Sequence, residues 1–325
     1  MLPIDIIREI FGNLKLRYQI KFVQINKYHN NNLKIIDFEN IARKTKNKLN
    51  DSIIINYPDI QYLGLYHNNK INNVSKMTNL KSLLCDYGFL ITDDDIKNLN
   101  LTKLVIANNS NIKNINHMTS LKILSCAGQC SVRDDDIKNL DLEELYLPFN
   151  DNIRNINHMT NLKILDCSYG CAISDDDIKN LNLIELDASF NKNIKNISHL
   201  TNLKSLYCNG NKCKITDDDI KTLDLEKLCV DNNHNIKNIN HMTNLKHLDC
   251  SNHCGISDEN IKNLNLVVLY ANNNSKIKNI SHMTNLKILW CDENCGISED
   301  IKNLTLIEFS ANDNQNINKR RKLKK

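Results

Sequence analysis

Three kinds of side chain that could do chemistry recur along this sequence at a fixed spacing. Cys85, Cys126, Cys167, Cys208, Cys250 and Cys291 stand 41 or 42 residues apart. A second thiol follows four residues later at Cys130, Cys171, Cys254 and Cys295, and five residues later at Cys213. His117, His158, His199, His241 and His282 keep the same period. Runs of three aspartates begin at Asp93, Asp134, Asp175 and Asp217. Thiolates and imidazoles suit zinc, paired thiols a disulfide, and clustered carboxylates a hard divalent cation. The spacing argues against each. If one period spans two strands, successive members of a column lie about 9–10 Å apart. A disulfide needs Cα atoms within about 7 Å, and one zinc cannot reach ligands that distant. A C-x3-C pair alone supplies two thiolates, a poor zinc site. No Ser/His/Asp constellation, phosphate-binding glycine loop or HExxH occurs. No enzyme, cofactor or metal is expected.

The elements that position these residues are written in two interleaved phrases. One begins at Leu80, Leu121, Leu162, Leu203, Leu245 and Leu286 and reads L-x-x-L-x-C, then I-S/T-D-D-D-I-K-N-L. In one copy these are Leu162, Leu165, Cys167, Ile173, Ser174, Asp175, Asp176, Asp177, Ile178 and Leu181. The other begins at Ile60, Leu101, Leu142, Leu183, Leu225, Leu266 and Leu306. It reads L-x-x-L-x-(apolar)-x-x-N, then I-x-x-I-x-x-M/L, as in Leu142, Leu145, Leu147, Asn150, Ile153, Ile156 and Met159. Alternating apolar positions make a short strand with one buried face. The ninth-position Asn (Asn68, Asn109, Asn150, Asn191, Asn233, Asn274 and Asn314) can satisfy backbone groups where the chain leaves the strand. Ser/Thr followed three residues later by an acid approximates a capping box, and acids in a first turn favour the helix dipole. The aspartate runs are therefore read as helix starts, and the histidines as polar contacts near each turn. The sixth-position cysteines replace Leu as small buried hydrophobes. Cys229 falls on an outward strand position and is expected to be an exposed thiol.

These phrases resemble the leucine-rich repeat, L-x-x-L-x-L-x-x-N/C-x-L. The Cys-bearing phrase resembles the cysteine-containing repeat of F-box/leucine-rich-repeat proteins, with its second Cys displaced by one or two places. The start of the chain, LPIDIIREIFGNL, resembles the opening of an F-box through Leu2, Pro3, Ile6, Ile7, Ile10, Phe11 and Leu14. Ile20, Phe22, Val23, Ile25, Asn26, Lys27 and Tyr28 resemble its second half, without a Trp and with Asn30–Asn32 in place of apolar residues. The resemblance implies an α/β fold: a leucine-rich-repeat solenoid, a horseshoe with a parallel sheet on its concave face. It implies an F-box-like helical segment over 1–44, a connector and cap over 45–59, about thirteen repeats over 60–318 and a basic tail over 319–325. It also implies a Skp1-like partner on the head residues just named, a protein substrate on the repeats, and the work of a ubiquitin-ligase adaptor inside the cell. The alternative is a helical cap, which a solenoid needs in any case, on a stand-alone binding scaffold.

Composition fits this class. Of 325 residues 41% are hydrophobic, enough for a sizeable core, and 8 Gly with 3 Pro exclude a collagen-like chain. The 56 Asn are read as A+T-rich codon bias. No apolar run of about 18 residues occurs, so no membrane helix is expected. The start lacks the basic-then-apolar pattern of a signal peptide, so reduced thiols are expected. Residues 1–50 carry a balance of +6 and the tail another +6; the total of +4 leaves −8 for 51–318. An acidic middle speaks against nucleic acid there. The third, fifth and seventh phrase positions, which vary between copies, are expected to face outward. They include Tyr62, Tyr66, Lys103, Glu144, Tyr146 and Asp166, then Glu185, Asp187, Tyr207, Asp249, Tyr270, Trp290 and Glu308. Aromatics beside carboxylates suit interface hot spots. Glu144, Asp166, Glu185 and Asp187 are expected to cluster, facing a basic patch on a partner of a monomeric chain.

Overall fold

The computed structural model describes residues 37–38, 50–54, 57, 59–65, 70–86, 90–298, 301 and 304–317. Leu2, Pro3, Ile6, Ile7, Ile10, Phe11, Leu14 and Tyr66 lie outside these residues, as does the basic tail. The chain forms two compact units, residues 1–146 and 147–325. Among the described residues the first holds β1 (Asp37–Phe38), β2 (Tyr62–Gly64), β3 (Ser82–Leu84), β4 (Lys103–Val105), β5 (Ile123–Ser125) and β6 (Glu144–Tyr146). The second holds β7 (Ile164–Asp166), β8 (Glu185–Asp187), β9 (Ser205–Tyr207), β10 (Lys227–Cys229), β11 (His247–Asp249), β12 (Val268–Tyr270), β13 (Ile288–Trp290) and β14 (Glu308–Ser310). Within each unit every strand pairs in parallel with its sequence neighbour, in a register that sets like phrase positions side by side.

The strands are the third to fifth positions of the phrases. In most, the middle residue is buried and its two neighbours are half-exposed, the pattern expected of one buried face. Leu142, Leu145, Leu147, Ile153, Ile156 and Met159 are fully buried, as are Leu162, Leu165 and Cys167. The core is thus a stack of identical apolar layers. β1 is an addition that the repeats do not announce. It falls inside the stretch expected to be helical, yet Asp37 pairs with Tyr62 and Phe38 with Leu63. Phe38 is fully buried and its ring meets Tyr57 at 5.3 Å. A segment that can extend beside the first repeat covers its open strand edge.

Among the described residues six single-turn helices begin with acids: α1 (Asp51–Ile54), α2 (Asp93–Ile96), α3 (Asp134–Ile137), α4 (Asp175–Ile178), α5 (Asp217–Ile220) and α6 (Asp258–Ile261). The three aspartates divide the work. The third caps its own helix: Asp177 Oδ2 accepts from the Ser174 amide at 2.8 Å and its hydroxyl at 2.7 Å. The first reaches the next repeat: Asp175 Oδ1 accepts the amides of Lys195 and Asn196 at 2.7 and 3.0 Å. Asp93, Asp217 and Asp258 do the same to residues 20 and 21 further on. The second is solvent-facing and pairs with the Lys three residues on, as Asp218 does with Lys221 at 3.4 Å. Exposed pairs of this kind contribute little.

The polar columns close the turns. Asn191, fully buried, donates through Nδ2 to the carbonyls of Cys167 at 2.8 Å and Ile173 at 3.2 Å. Its Oδ1 accepts the amides of Asn193 and Ile194 at 2.7 and 3.3 Å. Asn109, Asn233, Asn274 and Asn314 bond the sixth-position Cys carbonyl of the preceding repeat in the same way. His117, His199, His241 and His282 place Nε2 at 3.1–3.3 Å from the carbonyls of Ile96, Ile178, Ile220 and Ile261. A carbonyl only accepts, so the proton sits on Nε2.

Candidate protein-interaction surface

All twelve cysteines are buried and none forms a disulfide. Burial pushes the thiols of Cys167, Cys208 and Cys250 up, and that of Cys171 to about 11, so they stay protonated and inert. Cys229 corrects an expectation. It stands on the outward strand face, yet it is only 6% exposed. Its register partners Tyr207 and Asp249 carry larger side chains, and burial raises its thiol to about 12. Among the described residues no three His, Cys, Asp or Glu side chains converge as a metal set.

The side chains with solvent to work in are those of the outward sheet face. On the second unit the fifth positions run Asp166, Asp187, Tyr207, Cys229, Asp249, Tyr270, Trp290 and Ser310 across adjacent strands. At one end, Asp166, Glu185 and Asp187 share β7 and β8, about 4.8 Å apart. Burial raises the Asp187 carboxyl, and the charges of Asp166 and Glu185 add to that; bonds from Ser189 oppose it. Burial likewise raises Asp249, against bonds from Ser251. At the other end Tyr270 and Trp290 stack at 4.6 Å. His247 meets Tyr270 edge-on at 5.2 Å, and the Trp290 indole donates to Glu308 at 2.9 Å. Lys227 lies 4.7 Å over the Tyr207 ring. On the first unit, Tyr146 donates to Glu144 at 2.8 Å; Lys103 is half-exposed and Tyr62 is exposed.

The third and fifth positions lie on the strands as expected, whereas the seventh positions Asp86, Ser168, Ser189 and Ser251 are buried, and the pairing between neighbours is not encoded in the period. His247 and Lys227 were not singled out, although both hold third positions. The expected acidic group includes Asp166, Glu185 and Asp187 on β7 and β8, whereas Glu144 stands on β6 of the other unit.

A third feature lies where the chain leaves each strand. The eighth phrase position has a positive φ in all eleven repeats where it is described. Six hold Asn, Asp or Glu, namely Asn108, Asn232, Asn252, Asn273, Glu293 and Asp313, and two hold Gly128 and Gly210. The remaining three are consecutive and aromatic: Phe149 (φ 60), Tyr169 (φ 55) and Phe190 (φ 57). Their rings stack at 4.7 and 5.1 Å, each pair within 14° of parallel. Phe190 lies on the bare α-carbon of Gly210, where an added Cβ would come within 2.3 Å of the ring. The period of 20 to 22 residues exposes this signal in the sequence, since the aligned position is otherwise Asn, Gly or acidic wherever it is described.

With this geometry in hand, known structures decide the fold. The functional domain of InlJ from Listeria monocytogenes, which includes a cysteine ladder, aligns with 81% of this chain at 23% identity and a TM-score of 0.51. The yeast Rad7 and Elc1 complex aligns with 94% of this chain and 90% of the matched one, at 16% identity and a TM-score of 0.51. The fold is a leucine-rich-repeat solenoid. The leucine-rich-repeat protein LIC12759 of Leptospira interrogans also aligns, over 82% of this chain and 88% of its own, at 17% identity and a TM-score of 0.47. This solenoid spans 63% of the InlJ chain. No protein-family model matches the sequence, and no curated protein does. Among the described residues no helix is long and apolar enough to cross a membrane.

Proposed function

We propose that this leucine-rich-repeat chain is a protein-interaction scaffold that presents the outward face of its sheet to a protein partner. The observation that carries this is the division of labour just described. Buried Asn, the His column and the first and third aspartates spend their polar atoms on the chain itself. On the sheet face of β7–β14 the aromatics stack on one another, and the carboxylates of Asp166, Asp187 and Asp249, each accepting bonds from the serine two residues on, remain partly exposed to solvent. Aromatic clusters rimmed by charge are what interface hot spots use. The acidic balance of the repeats favours a basic partner over nucleic acid.

The finer reading is an adaptor. Residues 1–44 would hold a Skp1-like protein through Leu2, Pro3, Ile6, Ile7, Ile10, Phe11 and Leu14, while the repeats hold a substrate for ubiquitin transfer inside the cell. It is supported by the F-box-like opening and by the likeness to Rad7, a protein seen in complex with Elc1. One observation favours the alternative of a stand-alone scaffold with an N-terminal cap: β1 joins the sheet of the first repeats.

Two measurements test these readings. A photo-cross-linker at Tyr270, compared with one at the solvent-facing Lys179, should capture an identified protein from host extract, and Asp249→Lys should abolish the capture. Equal yield from both positions would remove the sheet-face reading. A pull-down with purified Skp1 should retain the wild-type chain and lose the Ile7→Asp/Phe11→Asp variant with circular dichroism unchanged. Failure of the wild type, with a Skp1 proven on another F-box, would leave the scaffold reading and end the adaptor one.

A further inference from the structure

The three aromatic residues at the strand exits are costly where they stand. A left-handed backbone suits Gly and Asn, and a bulky side chain there is strained. Eight other repeats fill the same position with Gly, Asn or an acidic residue. The three aromatic ones are consecutive, so the departure is local. Nor does burial compensate: Phe149 is 61% exposed and Tyr169 is 47% exposed. Backbone strain kept at an exposed site points to use rather than packing.

The stack defines what it can take. Each ring is stacked on its neighbour, and Phe190 rests on Gly210. Tyr169 lies between two rings and Phe190 between a ring and Gly210, so both present edges, while Phe149 is stacked on one side and is 61% exposed. Tyr169 stands three residues past Asp166, and Phe190 three past Asp187. With Glu185 these carboxylates form an acidic group on β7 and β8, the strands that lead into the stack. Among the described residues none of the three is within ion-pair distance of a Lys or Arg, and the half-buried Asp187 carboxylate is poorly solvated. Such a group repels phosphate and attracts ammonium or guanidinium.

We propose that the rim formed by Phe149, Tyr169 and Phe190, with Asp166, Glu185 and Asp187 behind it, is a docking site for a basic segment of a partner protein that carries an apolar anchor. The anchor packs on the ring edges, and flanking Lys or Arg side chains reach the carboxylates. This deepens the scaffold reading and rests on it.

The test uses the full chain and a defined probe. A fluorescein-labelled twelve-residue peptide of Lys, Arg and Leu is compared by anisotropy with the same peptide carrying Ser for Leu. A single-stranded oligouridine of equal length is the third ligand. The wild-type chain should bind the Leu peptide at least tenfold tighter than the Ser peptide and should bind oligouridine more weakly than either. The variant Phe149→Asn/Tyr169→Asn/Phe190→Asn uses the residue found at this position in other repeats, so its fold should survive, with a melting temperature within a few degrees of wild type. It should lose the tenfold preference. Asp166→Asn/Asp187→Asn should weaken both peptides and flatten their salt dependence. A wild-type chain that does not distinguish Leu from Ser, an Asn variant that keeps the preference, or tighter oligouridine binding would each overturn the proposal. If the Tyr270 cross-link persists while the peptide does not bind, the rim proposal alone fails. If both are lost, the scaffold reading fails with it.

Discussion

The buried turns and the outward sheet face are built from one sequence period and obey different rules. In the turns, residue type and bond recur together. Asn191, Asn233 and Asn274 all donate to the Cys carbonyl of the preceding repeat, and Asp93, Asp175, Asp217 and Asp258 all take two amides from the following one. On the face and its rim, backbone position recurs while residue type does not. The same fifth position is Asp166, Tyr207, Cys229 or Trp290. The same left-handed exit is Asn232 in one repeat and Tyr169 in another. Uniformity in the turns specifies the fold. Variation on the face is what a recognition surface needs.

This contrast can be broken from the turn side with the largest effect. Asn191→Ala leaves two buried carbonyls and two amides without their partner. It should lower stability by about 3 kcal/mol in urea titrations followed by circular dichroism. A change below about 1 kcal/mol would show that water replaces the side chain. The aspartate runs give a graded series. Asp217→Ala removes the acceptor of two amides in the next repeat and should cost roughly 1–2 kcal/mol. Asp218→Ala removes only an exposed pair with Lys221 and should leave the melting temperature unchanged. Equal effects at the two positions would show that charge, not the inter-repeat bond, sets the role of the run.

On the face the expected effect is smaller and its sign is reversed. Burial raises the Asp187 carboxyl, so the fold disfavours its charged form. That penalty is present at pH 7 and fades as pH falls through the raised folded value towards the unfolded one, near 4. Asp187→Asn should therefore stabilise the protein at neutral pH, and its advantage should vanish near pH 4. A constant advantage from pH 7 to 4 would place the effect elsewhere than in this titration. The smallest effect is expected at the rim, where Tyr169→Asn trades stacking against relief of the left-handed backbone, each about 1 kcal/mol.

What the sequence revealed follows the same line. The strands, their outward positions, the buried Asn and the helix starts were legible because each recurs in phase with the core, so that one copy checks another. The separate tasks of Asp175, Asp176 and Asp177 were not, because the capping role explains all three in isolation and the inter-repeat bond appears only when the next repeat is stacked. Cys229 is buried beside the larger Tyr207 and Asp249 of the neighbouring strands, and periodicity does not encode side-chain size. β1 lies outside the repeats, and nothing in phase with them marks Asp37 and Phe38 as a strand.

The reach of the turn bonds sets the unit of length change for this chain. His117, His199, His241 and His282 each bond a carbonyl 21 residues back, in a Cys-type repeat, and each first aspartate of α2 and α4–α6 bonds amides 20 and 21 residues ahead, in an Asn-type repeat. The two repeat types are odd and even members of an alternating series. Recombination that inserts or deletes a whole pair restores every donor to an acceptor and moves only the pattern on the sheet face. Loss of a single member would set like against like and strand a histidine without its helix carbonyl. Copy number can therefore drift in steps of two repeats, giving such a gene a ready route to new binding surfaces on an unchanged frame.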